Sequence, residues 1–158
     1  MTTLVTKQGS LALLQEPAAQ NLLQSTIPAR LAYLWTDGAP RVTPVWFHWT
    51  GEVFVLTSLP EAPKLKALTQ HPQVAMTIDT NGWPPNVLSV RGSASIERFE
   101  GIVPEFVAMA ERYLGPEQGQ AFVAQGQSTG QGIARITIVP SWVELLDFDT
   151  RWPSAWSK

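Results

Sequence analysis

The chain has 158 residues, 15% charged and 44% apolar, with seven Trp, no Cys and a formal net charge of -2. That length suits one domain over residues 1–158, able to bury about two thirds of the surface its unfolded chain exposes, and the mildly acidic balance excludes a general attraction to nucleic-acid phosphates or anionic lipid. Without Cys there are no disulfides, thiolate nucleophiles or Cys-ligated metals, and a charged fraction well below the usual roughly 25% leaves apolar surface to be covered by a partner subunit or ligand.

The N-terminal stretch MTTLVTKQGSLALLQEP has no apolar core followed by a small-residue cleavage site, and no apolar run reaches membrane-spanning length. A cytoplasmic location without a membrane contact is expected. Leu11, Leu14, Ala18, Leu22 and Leu23 recur at helical spacing. Because Pro17 is tolerated only near a helix start, the helix is placed from about Pro17 to Gln24. Ala29 to Trp35 reads as a strand, and the Asp37-Gly38 step turns it into the next strand at Arg41.

The runs RVTPVWFHW and EVFVLTS flank Thr50-Gly51 and read as a β-hairpin with a two-residue turn. Counting outward pairs Trp49 with Glu52, Phe47 with Phe54 and Val45 with Leu56. Both faces of this hairpin are largely apolar, as in a barrel or a sheet sandwiched at a subunit interface. The three strands are expected to run as a meander.

After an extended loop from Leu59 to Pro63, Lys64, Leu65, Ala67 and Leu68 give a short helix, stopped by His71-Pro72. Gln73 to Ile78 alternates like a half-buried strand. A loop over Asp79 to Asn86 carries Trp83, and Val87 to Phe99 is a strand in which Gly92 marks a bulge or a close approach. Val103, Phe106, Val107, Ala110 and Leu114 predict a helix from Pro104 that ends at Gly115-Pro116. A second helix is expected over Glu117 to Gln125, then a polar Gly-rich loop from Gly126 to Gly132. Two strands, Ile133 to Val139 and Trp142 to Phe148, flank Pro140-Ser141, and the tail from Asp149 to Lys158 brings Arg151, Trp152 and Trp156. The pattern is α+β: a mainly antiparallel β-barrel of about six or seven strands with flanking helices.

The usual catalytic constellations are absent. His48 and His71 are the only histidines and neither has metal-site spacing. No nucleophile elbow, Walker motif or dinucleotide fingerprint occurs. What remains is an anion site beside an apolar slot, built from Arg41, Thr57, Ser58, Lys64 and Lys66 with the amides of a helix N-terminus. The same spacing also describes solvated charges at strand and helix ends, the commoner arrangement.

The order R-V-T-P-V-W-F, V-L-T-S, P-x-L-x-A-L and H-P-Q-V-A-M-T-I-D resembles the FMN-binding split barrel of the pyridoxamine 5'-phosphate oxidase family, over roughly Ala29 to Glu97 and more loosely in the final strands. The resemblance implies a homodimer with a cofactor in each of two interface sites. Arg41 and Lys64, with Lys66 nearby, would meet the FMN phosphate; Thr57 and Ser58 would donate hydrogen bonds. Val42, Thr43, Pro44, Val45 and Trp46 would line the isoalloxazine, largely through backbone groups. Arg91, Trp142 and Trp152 would contribute from late strands or from the partner.

Departures from the family pattern also matter. Ala62-Pro63 stands where the family often has a further phosphate donor, Val87 stands where the true oxidases carry Gln, and the tail has no His. Oxidation of vitamin B6 is therefore not expected. The reading is an FMN-binding oxidoreductase that passes hydride at the flavin to a small-molecule substrate. The alternatives are a reductase using the 8-hydroxy-5-deazaflavin coenzyme on the same frame, and a non-catalytic, stress-related flavin-binding dimer.

Overall fold

The structure, a computed structural model, describes residues 6–156. The first five residues of the segment read for a leader, and Ser157 and Lys158 of the tail, lie outside the described residues. Seven strands form one antiparallel sheet: β1 (Ala29–Leu34), β2 (Pro40–Val45), β3 (His48–Trp49), β4 (Phe54–Ser58), β5 (Gln73–Asp79), β6 (Val87–Phe99) and β7 (Ile133–Leu146). They are hydrogen-bonded in the order β2-β1-β5-β6-β7-β4-β3. Strands β2 and β3 are the two edges of that order, yet Trp46 and Phe47 alone join them. Three residue steps span at most about 10–11 Å, so the sheet must roll until its edges meet at this corner. The architecture is a split β-barrel.

Four α-helices, α1 (Pro17–Leu23), α2 (Pro63–Gln70), α3 (Pro104–Leu114) and α4 (Pro116–Thr129), flank it. All four begin with Pro at the first position, where the missing amide costs nothing. Alternate residues of the strands point inward, such as Leu31, Met76, Ile78, Leu88, Ile136 and Leu145, and they meet Leu13, Leu14, Leu22 and Leu23 of the N-terminal segment and Leu65 and Leu68 of α2 in one core. No helix among the described residues is long and apolar enough to cross a membrane.

The expected meander is corrected. Strand β2 pairs with β1, whereas β4 pairs with β7 and with the two-residue β3. The run from Arg41 to Trp49 is broken at Trp46-Phe47, because both side chains are drawn inward: Trp46 stacks on Tyr113 at 4.8 Å with 4° between the planes, and Phe47, fully buried, lies 5.8 Å from Phe54. Arg112 of α3 donates from Nη2 to the Phe47 carbonyl and from Nη1 to the Leu23 carbonyl at 2.6 Å. The second bond caps the C-terminus of α1.

The Thr50-Gly51 turn also spans more residues than the two-residue reading. Trp49 faces Phe54, not Glu52, so the register slips by two. The cause is the Thr50 hydroxyl, which accepts from the Val53 amide at 3.0 Å and the Glu52 amide at 3.2 Å. A short polar side chain bonding its own turn outcompetes the tighter loop.

The last two predicted strands are one, β7, with Pro140 opposite Gly92 and Trp142 opposite Arg91 around a register shift. Pro140 is tolerated because β4 extends only to Ile138, leaving the other side of β7 free of a strand. That free edge is covered in part by the N-terminal segment: the Gln8 side-chain amide makes bonds of 2.7 and 2.9 Å to Leu145, and the Gly9 amide donates to Val143 at 2.7 Å. A Cβ on Gly92 would sit 2.5 Å from the Val139 carbonyl oxygen, so glycine at the bulge answers a close approach. Helix α4 runs four residues past its expected end, through the segment read as a loop, and closes at Gly130 in the left-handed region.

Candidate functional site

Sequence-local chemistry puts the functional groups at element ends. The last residues of β2, the C-terminal end of β4 and the first turn of α2 converge where the barrel seam opens. Here Pro44, Val45 and Trp46 face Thr57, Ser58 and Lys64 across a cleft of about 510 Å³. Its opposite wall comes from Phe106 of α3 and Phe122 of α4, with Ile102 just before α3 and Ile133 of β7. Ring packing makes this wall stiff: Phe106 and Phe122 lie 5.5 Å apart, and Phe122 meets Trp46 edge-on at 5.8 Å.

A second hollow of about 350 Å³, lined by Tyr33, Trp35 and Arg41, shares Ser58, Leu59 and Lys64 with the first. The two hollows therefore adjoin at Lys64. The Arg41 guanidinium lies 3.5 Å over the Trp35 ring, which orients it without a carboxylate partner. Lys64 is half-buried, and burial pulls its pKa below the ordinary lysine value. Among the described residues no carboxylate lies within ion-pairing distance of Lys64 or Arg41. Two cations flanking a groove without acid partners are suited to an anion, and the N-terminus of α2 adds the positive end of its dipole at Lys64.

The other residues expected at the site are dispersed. Thr43 lies across from Leu31 and is not a wall of the cleft. Lys66, two positions along α2 from Lys64, points to a separate groove beside Glu61 and Arg98. Val42, Arg91 and Trp142 meet on the outer face of the sheet, where the Arg91 guanidinium stacks 4.4 Å over the Trp142 ring and Val42 is 69% exposed. His48 is half-buried, its pKa lowered by burial and then by the nearby Arg112 charge; His71 caps α2. Among the described residues no three His, Cys, Asp or Glu side chains cluster to hold a metal ion.

The comparison with protein families matches residues 15–145 to the pyridoxamine 5'-phosphate oxidase model. The chain belongs to the pyridoxamine 5'-phosphate oxidase family. Within solved structures, this family member is similar to an F420 reductase at 26% identity, with a TM-score of 0.62 over 79% of this chain and 94% of that one. A conserved hypothetical protein from Mycobacterium tuberculosis shares 20% identity, with a TM-score of 0.67 over 95% and 99% of the two chains. The heme storage protein HutZ from Vibrio cholerae shares 19%, with a TM-score of 0.59 over 84% and 93%. These last two likenesses establish the fold alone. The comparison with curated proteins returned no match.

The α3–α4 wall and Arg112 escaped the sequence reading. A signal existed for the wall: Phe122, Gly126 and Thr129 follow i, i+4, i+7 spacing and so share one helix face, once Gly126 is accepted inside a helix.

Proposed function

We propose that this member of the pyridoxamine 5'-phosphate oxidase family is a homodimeric FMN-binding oxidoreductase acting on a small molecule. The observation that carries the reading is the half-buried Lys64, without an acid partner among the described residues, between a cationic hollow and an apolar cleft. Arg41, Lys64 and the Ser58 hydroxyl fit the phosphate as charge-assisted donors. Pro44, Val45 and Trp46 fit a flat ring as apolar walls, with Thr57 as a hydroxyl donor at its edge. Bound FMN would supply hydride transfer at its ring. The chain's own work is to hold the phosphate, set the ring plane and exclude water; no side-chain acid or base is assigned.

A second reading, the 8-hydroxy-5-deazaflavin coenzyme in the same groove, is favoured by the likeness to an F420 reductase and by Ala62-Pro63, which supply no further phosphate donor before Lys64. Titration of the apo-protein with each cofactor, followed by cofactor fluorescence, separates the two. Arg41→Ala and Lys64→Ala are each expected to weaken binding by about 1.5–3 kcal/mol, roughly 10- to 150-fold. Unchanged affinity in the double variant would refute the assigned site.

A further inference from the structure

The cleft is chemically two-sided. Its cations lie at the Lys64 end, whereas the α3–α4 end is walled by Ile102, Phe106, Phe122 and Ile133 and edged by the uncharged side chains of Gln125 and Gln131. Among the described residues these two amides have no hydrogen-bond partner within the chain, unlike Thr129, whose hydroxyl donates to the Gly126 carbonyl at 2.8 Å. The nearby charges are already paired: Arg135 bonds Glu105 at 3.3 Å and Glu97 at 3.0 Å. A charged ligand group at this end, whose rim of Gln125, Thr129 and Gln131 is exposed, would keep part of its water but gain no counter-ion, unlike one at the Lys64 end. A flat apolar body would instead gain rigid aromatic contact, since Trp46 is pinned between Tyr113 and Phe122 and loses little further freedom on binding.

We infer that the α3–α4 end of the cleft is a separate subsite for a neutral, planar, apolar molecule, an uncharged fused-ring or conjugated compound with one or two hydrogen-bonding atoms. Gln125 and Gln131 would read those atoms, with amides able to donate and accept. That this molecule is the substrate rests on the proposed cofactor site; the subsite itself does not. Gly126 makes room for it on α4. A Cβ there would meet Phe106 at 3.6 Å in ordinary contact, so a longer side chain would extend into the cleft.

The test uses the full chain and two fluorescent probes that differ by one sulfonate: neutral N-phenyl-1-naphthylamine and anionic 8-anilino-1-naphthalenesulfonate, with inorganic phosphate present to occupy the cationic end. The neutral probe is expected to bind saturably and at least about tenfold more tightly than the sulfonate. Gly126→Leu, which also favours the helix, should weaken the neutral probe at least about tenfold while FMN titration is unchanged; Phe122→Ala is the second variant should the first fail to fold. Equal binding of the two probes, or neutral-probe binding untouched by the folded variant, overturns the inference. Loss of FMN together with the neutral probe in Gly126→Leu also overturns it, because the cofactor ring would then fill this end. If the wild-type chain binds neither cofactor yet binds the neutral probe with the stated selectivity, the cofactor reading fails and the subsite stands.

Discussion

Arg112 shows how one side chain can organise a region no motif advertises. It holds the carbonyls of Leu23 and Phe47, and its guanidinium stacks within 4.6 Å of Phe47 and 4.7 Å of Tyr113. Helix α1, the β2–β3 corner and α3 therefore meet on one cation, which places Trp46 against the cleft. Arg112→Ala strands two carbonyls and should destabilise the fold by about 3 kcal/mol in urea unfolding. The same charge, after burial, lowers the His48 pKa, so the variant should move His48 upward in an NMR titration. Because the folded state holds His48 below its ordinary 6.5, the unfolded chain binds more protons. Stability from this group is present above that value and is lost as pH falls through it toward the folded pKa.

At the scale of elements, the long β6–β7 ribbon depends on its bulge. The methyl group of an alanine at position 92 would stand only 2.5 Å from the Val139 oxygen, so Gly92→Ala must push the strands apart. Thermal unfolding should reveal a loss of about 2–3 kcal/mol; a variant as stable as the parent would mean that the bulge relaxes freely. The loop after β7 has a different lock. Burial would raise the Asp147 pKa, but hydrogen bonds from the Thr150 hydroxyl and the amides of Asp149, Arg151 and Thr150 outweigh it and hold it at about 2. A carboxylate depressed from 3.8 to about 2 stabilises the fold above 3.8, and that contribution disappears as pH falls toward 2. After allowance for solvent screening it amounts to about 1–2 kcal/mol. Asp147→Asn should remove this step from a melting-temperature profile between pH 5 and about 2, while leaving its alkaline side unchanged.

For the whole molecule, the outer sheet face is the part left unfinished in a single chain. Val42 is 69% exposed near the Arg91–Trp142 stack, and Val139 is 53% exposed. Such apolar surface on a chain with few charges calls for cover. Light scattering of the purified protein is expected to give twice the chain mass of 17.4 kDa, and Val42→Glu should shift it toward one chain by burying a charge in the interface. A monomeric parent at micromolar concentration would remove the homodimer from the proposed function.

Local signals carried most of the elements. Pro at the starts of α1 and α3, Asp-Gly at the first hairpin and the alternation in β5 depend on neighbours within a few residues, so Val87–Phe99 and Pro104–Leu114 were legible from composition and spacing. Arg41, Thr57, Ser58 and Lys64 were legible as chemistry in the same way. Strand partners were not, because edge pairing depends on closure of the whole sheet: β2 and β4 are close in the chain but bonded to different neighbours. Nor was the uncharged wall of the cleft, where Phe106 and Phe122 acquire a meaning only once α3 and α4 fold back over the seam. Sequence by itself determined which groups this protein has to work with. Tertiary structure alone decided which of them share a cleft, since burial and proximity arise from contacts between residues far apart in the chain.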